Sequence, residues 1–107
     1  MAKETTLHTN IKKAVTALGC KYFKIHGSLY GEGGMPDIYI LVPVPWSTLW
    51  AVPLHVEAKQ LGKTPTPRQH RRLEQLRAAG ASAMWTDNVE KVVHIIEAIR
   101  SCKPGEG

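Results

Sequence analysis

Two carboxylates and one ammonium group lie in short apolar stretches whose spacing could bring the three together. Glu57 and Lys59 are two residues apart in a stretch over residues 54–59 in which apolar and polar residues alternate. In a β-strand, residues two apart point to the same face of the sheet. Glu57 and Lys59 would therefore share one face. The side chains on the opposite, buried face would be Leu54, Val56 and Ala58.

Asp37 opens a second apolar run, over residues 37–42, which is also typical of a strand. If the two strands pair, Asp37 and Glu57 can converge on one divalent cation, with Lys59 beside it. Such a cation polarises a phosphoryl oxygen and lowers the pKa of a bound water, and Mg²⁺ prefers oxygen ligands. A neighbouring lysine can stabilise charge that develops on phosphate. A glycosidase also uses paired carboxylates, but that function leaves Lys59 unexplained.

A basic segment follows these strands, over residues 63–77. Its cationic side chains are Lys63, Arg68, Arg71, Arg72 and Arg77, against the single acid Glu74. The segment therefore carries most of the formal net charge of +5. Clustering of positive charge on one loop and helix favours contacts with phosphates, and a solvated helix face is the alternative.

The hydrophobic periodicity predicts the elements that must position these groups. The predicted helices span residues 4–18, 67–79 and about 89–99, and the predicted strands span residues 21–26, 37–42, 49–59 and 81–86. We expect Thr66 to cap the second helix with Pro67 as its first residue. The spacing of Asp87 and Glu90 resembles a capping box for the third helix. Pro53 indicates an edge position or a bulge. The order predicts an α/β fold with a small mixed sheet flanked by helices.

Composition limits the class of protein. A length of 107 residues with 43% hydrophobic and 21% charged residues predicts one folded domain over residues 1–107, with a flexible tail at 103–107. A pI of about 9.4 favours an anionic partner, nucleic acid first, although solubility alone is an alternative. The separated Cys20 and Cys102 indicate reduced thiols and a cytoplasmic location. No apolar run is long enough to span a membrane.

The ordered motifs resemble a known family. Pro36-Asp37, then Glu57-Ala58-Lys59, then a helix with Gln69 is similar to the pattern of the PD-(D/E)xK nuclease superfamily. More narrowly, four features of this sequence resemble the VRR-NUC domain. They are Gly34-Met35-Pro36-Asp37-Ile38-Tyr39, the Glu57-Ala58-Lys59 strand, Thr66-Pro67-Arg68-Gln69 and Gly80. The resemblance covers the chain from Glu4 to about Ile99.

The resemblance implies a restriction-endonuclease-like αβββαβα fold. It also implies a Mg²⁺- or Mn²⁺-dependent endodeoxyribonuclease that is selective for a DNA structure such as a junction or flap. Stand-alone proteins of this type are similar to Holliday-junction resolvases, are found in phages and bacteria, and act as homodimers. Two-fold symmetry of the protein would match the two symmetric cuts of a four-way junction.

Residue roles follow from the same resemblance. The implied metal ligands are Glu4, Asp37, Glu57 and the backbone carbonyl of Ala58. Lys59 would act on the water and the phosphate, and Gln69 would position substrate or water. His8 departs from the family pattern, in which glutamine is common. Glu4 has a second interpretation, as a helix N-terminal carboxylate stabilised by the helix dipole.

Contacts with DNA are expected from the basic segment and from one residue near the glycine-rich loop. These residues are His26, Lys63, Arg68, Arg71 and Arg72. His55 shares the face of Glu57, where we expect a structural or surface role.

Two other functions remain open at this point. The chain could be a non-catalytic nucleic-acid-binding module that keeps the nuclease fold and binds without regard to metal. It could also be a partner-binding protein that uses Trp46, Trp50 and Trp85. We expect Trp46 and Trp50 to pack on the core, with an exposed patch for a partner subunit as the alternative.

Overall fold

The computed structural model describes residues 4–25 and 34–102, with residues 4 and 5 described in their backbone alone. The elements are α1 (Glu4–Ala17), β1 (Lys21–Lys24), β2 (Ile38–Pro43), β3 (Ala51–Ala58), α2 (Pro67–Ala78), β4 (Ser82–Thr86) and α3 (Val89–Ser101). This is the predicted αβββαβα order. His26, residues 27–33 of the glycine-rich loop and the tail at 103–107 lie outside the described residues.

The four strands form one mixed sheet in the order β1-β2-β3-β4. The first three strands are antiparallel, and β4 runs parallel to β3. Pairing of β3 with β4 begins at Leu54 opposite Ser82, one residue after Pro53. At Pro53 itself, β3 pairs with β2 only. The proline thus lies where β3 is still an edge strand, as predicted, and an edge tolerates the missing N–H donor.

One face of the sheet carries the hydrophobic core, which α1 and α3 cover. Its members include Leu7, Ile11 and Val15 of α1, Ile38, Ile40 and Val42 of β2, Leu54, Val56 and Ala58 of β3, and Val92 and Ile96 of α3. None of these side chains is more than 4% exposed. The alternation predicted for residues 54–58 is confirmed, because the side chains of β3 that enter the core are separated by His55 and Glu57.

The opposite face carries Glu57 and is covered by α2 at the β4 side. Gln69 of α2 donates a hydrogen bond to the Glu57 carboxylate, which places α2 on the face that Glu57 occupies. Leu73 of α2 is 1% exposed but lies outside the main core cluster. Arg77 fixes the far end of α2 to β4 by donating a hydrogen bond to the Ala83 carbonyl over 2.8 Å.

Capping groups define where α2 and α3 begin. Thr66 caps α2 and Pro67 is its first residue, as predicted. The prediction for α3 was wrong by one residue, because Asn88 is the cap. The Asn88 side chain accepts a hydrogen bond from the Lys91 N–H over 3.0 Å. Asp87 instead lies 3.7 Å from the Lys91 ammonium group.

The β2–β3 connection leaves two large apolar side chains in solvent. Leu49 is 89% exposed and Trp50 is 62% exposed. The rings of Trp46 and Trp50 meet at a centroid distance of 6.1 Å. The expectation that Trp50 packs on the core was therefore wrong, and the alternative of an exposed patch describes it better.

Among the described helices, none has the length and apolar character that crossing a membrane requires.

Candidate active site

Asp37 directly precedes β2, and its carboxylate contacts the end of β3. Its Oδ1 accepts a hydrogen bond from the Ala58 backbone N–H over 3.2 Å. Ala58 itself is fully buried. In a strand, the N–H and C=O groups of one residue are directed to the same neighbouring strand. The Ala58 carbonyl is therefore directed to the same side as Asp37, where the sequence predicted a backbone ligand.

Glu57 is the centre of a second set of contacts. Its side chain is 4% exposed. Glu57 Oε2 lies 3.7 Å from the Lys59 ammonium nitrogen and accepts a hydrogen bond from Gln69 Nε2 over 3.3 Å. The two sets of contacts adjoin, because Ala58 lies between Glu57 and Lys59 in the chain. The structure thus brings Lys59 and Gln69 to Glu57, and Asp37 to the neighbouring Ala58.

Gln69 has a structural contact that the sequence interpretation did not include. Its Oε1 accepts a hydrogen bond from the Thr66 N–H over 2.9 Å, and its own N–H donates to Thr66 Oγ1 over 3.2 Å. This is a capping box, for which Thr-x-x-Gln is the sequence signature. The first turn of α2 and the Glu57 carboxylate are therefore held by the same side chain.

Two residues that the sequence interpretation did not assign to the site contact Asp37. His8 Nε2 of α1 lies 3.0 Å from Asp37 Oδ2, and the Lys24 ammonium of β1 lies 3.6 Å from the same oxygen. Lys24 Nζ is also 3.1 Å from His8 Nε2. A signal was present for His8, since it lies next to Leu7 on the apolar stripe of α1. No pattern in β1 distinguished Lys24.

These contacts determine the ionisation of Asp37. Burial alone would raise the pKa of its carboxyl group. The hydrogen bond and charge of His8, the Ala58 N–H and the Lys24 ammonium outweigh burial, and the pKa of Asp37 is lowered. The neighbouring Tyr22 has a raised pKa, first because it is buried and second because of the Asp37 charge. Asp37 is accordingly an anion that attracts cationic groups.

A close backbone approach positions the segment that leads into Asp37. Gly34 has a φ of +84°, a region that favours glycine. A Cβ atom at Gly34 would lie 2.7 Å from Cγ of Arg68 and 3.0 Å from the Arg68 carbonyl oxygen. The close neighbour of Gly34 is therefore the first turn of α2.

The basic segment begins beside this cluster. Lys63, Arg68 and Arg71 are exposed, while Arg72 is partly buried and donates a hydrogen bond to Gln75 over 2.8 Å. Because Gln69 contacts Glu57, the N-terminal turn of α2 brings this positive surface close to the carboxylates. His26 and the Glu4 side chain lie outside the described residues, so their predicted roles stay predictions.

The donor chemistry of the cluster fits a divalent cation. Asp37 and Glu57 supply carboxylate oxygens, and the Ala58 backbone adjoins Asp37. The positively charged Lys24 ammonium group lies 3.6 Å from Asp37 Oδ2, so this carboxylate already has a cation beside it. Within residues 4–25 and 34–102, however, no three His, Cys, Asp or Glu side chains are arranged as a complete metal-binding group. A full ligand set would need further donors such as Glu4, water or substrate.

Comparison with known proteins identifies the fold. No family model matches the chain, and no curated protein matches it. A solved structure described as "VRR_NUC domain" is 28% identical, with a TM-score of 0.72, and the match covers 91% of this chain and 97% of that one. Another, "VRR_NUC domain protein", is 18% identical with a TM-score of 0.57 over 84% of each chain, and shows the fold alone.

These matches span nearly the whole chain and support a nuclease-domain family. The α/β fold with a small mixed sheet and three helices in the described residues is consistent with them. The resemblance recognised from the ordered motifs around Asp37, Glu57 and Gln69 is thereby confirmed, since the chain is similar over nearly its whole length to a solved VRR-NUC domain structure.

Proposed function

We propose that this protein is a Mg²⁺- or Mn²⁺-dependent endodeoxyribonuclease of the PD-(D/E)xK type, which acts as a single domain over residues 1–107. The observation that carries the proposal is the continuous cluster of Asp37, Glu57, Lys59 and Gln69 in a VRR-NUC fold. Glu57 lies in β3 and Gln69 in α2, while Asp37 directly precedes β2 and Lys59 directly follows β3. Gln69 and Lys59 contact Glu57 over 3.3 Å and 3.7 Å, and Asp37 accepts a hydrogen bond from the adjoining Ala58 N–H over 3.2 Å. The proposed metal ligands are Glu4, Asp37, Glu57 and the Ala58 carbonyl.

The chain's own residues have distinct roles in this proposal. The bound cation would supply Lewis acidity to the phosphate and lower the pKa of a water. Lys59 orients the attacking water and stabilises the charge that develops on the phosphate. Its position is fixed, because its side chain is 16% exposed and its ammonium group lies near Glu57 Oε2. Gln69 holds the Glu57 carboxylate in place and positions substrate or water.

The substrate is proposed to be DNA, preferentially a junction or flap. Phosphate contacts would come from the exposed Lys63, Arg68 and Arg71, with Arg72 and His26 as further contacts. The N-terminus of α2 adds the positive end of a helix dipole close to Glu57. A homodimer would present two such sites to the two symmetric strands of a four-way junction.

Cleavage by a lysine variant tests the function directly. Wild-type protein should cut a synthetic four-way junction or flap with Mg²⁺ or Mn²⁺, and EDTA should abolish cutting. Replacing Lys59 by alanine should lower the cleavage rate by about 100-fold or more, since one electrostatic group at the phosphate contributes about that much. Gel assays on junction, flap and duplex substrates measure this rate.

Lys21→Ala is the matched control, because Lys21 is an exposed lysine on β1 at the far end from Asp37. It should cut as fast as wild type. Cutting that survives in Lys59→Ala would contradict the assigned site. Tight, salt-sensitive DNA binding without any cutting would instead favour the non-catalytic module.

A further inference from the structure

The sheet face that carries Glu57 has a row of three aromatic rings across its antiparallel strands. Phe23 of β1 pairs with Tyr39 of β2, and Tyr39 pairs with His55 of β3. Directly opposite residues of an antiparallel pair point to the same face, so the three side chains lie side by side. The ring centroids of Phe23 and Tyr39 are 6.2 Å apart, and those of Tyr39 and His55 are 5.3 Å apart. We call these three side chains the aromatic row.

Solvent reaches the aromatic row, in contrast to the other face of the same strands. Phe23 is 41% exposed, and Tyr39 and His55 are half-buried. On the core face of β2, Ile38 and Ile40 are fully buried. Of the described helices, α2 is the one on the face of the row, and it packs over the β4 side of the sheet. The row is therefore accessible to a flat partner.

The row adjoins the candidate active site. Tyr39 comes two residues after Asp37, and His55 comes two residues before Glu57. Two residues along a strand span about 7 Å and return to the same face. A group that packs on Tyr39 and His55 would therefore lie within about one such step of the two residues that carry the carboxylates.

The charge of these strands suits a polyanion. Glu57 is the only acidic residue within β1, β2 and β3. Lys24 follows Phe23 and is 44% exposed, and the chain carries a formal net charge of +5. A second copy packed on this face by two-fold symmetry would bring the same positive strands together. A nucleic-acid strand meets no such repulsion, so the charges favour it as the occupant.

Aromatic side chains on an open sheet are a known platform for unpaired bases. Bases of any sequence stack on such rings, because every base has a π-face. A base inside a duplex is already stacked between its neighbours and must leave the duplex before it can contact a protein ring. The aromatic row therefore suits a single-stranded segment and not an intact duplex.

We propose that the aromatic row binds unpaired bases of a single-stranded DNA segment next to the cleavage point. The proposal rests on the proposed nuclease function and names the feature of the substrate that the site recognises. Bases held on Tyr39 and His55 keep the phosphates of the same strand close to Asp37 and Glu57. A flap supplies such a segment, whereas plain duplex does not.

Fluorescence anisotropy of a labelled single strand tests the row, in EDTA so that no cleavage occurs. Phe23→Leu and Tyr39→Leu remove the rings but keep apolar side chains, and each should weaken binding about 5-fold or more. An abasic strand of the same length keeps the phosphates without the bases. It should bind more weakly than the normal strand, and neither variant should change its affinity.

Leu61→Ala is the matched control, because Leu61 is 52% exposed and lies outside the row. It should bind both strands as wild type does. Equal binding of the normal and abasic strands by wild type overturns the proposal, as does unchanged affinity in the ring variants. If Tyr39→Leu does not fold, the exposed Phe23 still decides the outcome.

Cleavage assays with Mg²⁺ or Mn²⁺ separate this proposal from the proposed function. Phe23→Leu should lower the cleavage rate on a flap about 5-fold and leave the rate on plain duplex unchanged. An unchanged flap rate in Phe23→Leu refutes the role of the row alone. Absence of all cutting by wild type, with ring-dependent binding of the single strand, refutes the proposed function and leaves the row as a DNA-binding surface.

Sedimentation of Phe23→Leu tests the other occupant, a second copy of the chain. The variant should have the same mass in solution as wild type. A lower mass, together with unchanged affinity for the single strand, would assign the row to a contact between copies and overturn the proposal.

Discussion

At the scale of single residues, Gln69 connects stability to the proposed chemistry. One end of its amide accepts from the Thr66 N–H, and the other donates to Glu57 Oε2. The capping box orders the first turn of α2, and the same side chain then orients a nearly buried carboxylate. Glu57 therefore depends on the correct start of a helix that follows it by about ten residues.

A pair of variants can separate the two roles. Thr66→Ala removes the side chain that accepts from the Gln69 N–H but leaves the Gln69 amide on Glu57. Gln69→Ala removes the amide side chain, and with it the hydrogen bonds to the Thr66 N–H and to Glu57, but keeps the backbone N–H that donates to Thr66 Oγ1. Each variant should lower the free energy of unfolding by about 1 kcal/mol, as measured by urea denaturation. Thr66→Ala should cut DNA at close to the wild-type rate, whereas Gln69→Ala should cut at least about 10-fold more slowly.

Equal loss of cleavage in Thr66→Ala and Gln69→Ala would show that only the helix start matters. Unimpaired cleavage by Gln69→Ala would remove Gln69 from the proposed site. Circular dichroism of both variants should match wild type, so that any difference in rate is assigned to the site and not to unfolding.

Individual residues also show what the sequence could predict. Glu57, Lys59 and Asp37 follow from a strand period of two and from the order of the motifs. His8 could not be assigned in this way, because its contact with Asp37 depends on how α1 docks on the sheet. The capping role of Gln69 could have been predicted from the Thr-x-x-Gln signature, which is local in the sequence.

At the scale of elements, the start of α2 fixes the segment that delivers Asp37. Gly34 approaches the Arg68 backbone closely and has a positive φ. Asp37 follows three residues later and contacts Ala58 at the end of β3. A shift of Gly34 would therefore move Asp37 relative to Glu57.

Gly34→Ala tests this packing, and Gly62→Ala is its matched control. Both glycines have a positive φ, of +84° and +87°. Each alanine variant should lose about 1 kcal/mol from the unfavourable backbone conformation. A Cβ atom at Gly34 would also overlap Arg68, whereas a Cβ atom at Gly62 has no described neighbour within 4 Å. Gly34→Ala should therefore be less stable by about another 1 kcal/mol or more in urea denaturation, and should cut DNA more slowly.

If the two variants lost the same stability and cleaved DNA equally well, the close approach of Gly34 to α2 would matter neither for stability nor for cleavage.

The elements themselves were predictable from the sequence, since amphipathic helices and apolar strands have clear periods. The contact between the loop before β2 and α2 was not, because no local pattern encodes which element a glycine approaches.

At the scale of the whole molecule, charge and exposed apolar area lie on different parts of the chain. The exposed cations Lys63, Arg68 and Arg71 surround the start of α2. Among the described residues, the most exposed large apolar side chains are Leu49 and Trp50, in the β2–β3 connection. An apolar patch in solvent is typical of a protein interface, and a basic surface is typical of a nucleic-acid interface. DNA and a second copy of the chain could therefore bind at separate surfaces.

The proposed homodimer is expected to use Leu49 and Trp50. Sedimentation equilibrium of wild type should give twice the 11.8 kDa mass of one chain. Trp50→Lys combined with Leu49→Lys should give monomers, because two charges would have to be desolvated at the interface. Leu61→Lys is the control, since Leu61 is 52% exposed on the loop before α2, and it should remain dimeric. Monomeric wild type would refute the homodimer, and a dimeric double variant of Leu49 and Trp50 would place the interface elsewhere.

The monomeric variant should lose paired cuts across a four-way junction more than it loses single cuts, because each site remains intact while the two-fold arrangement is gone.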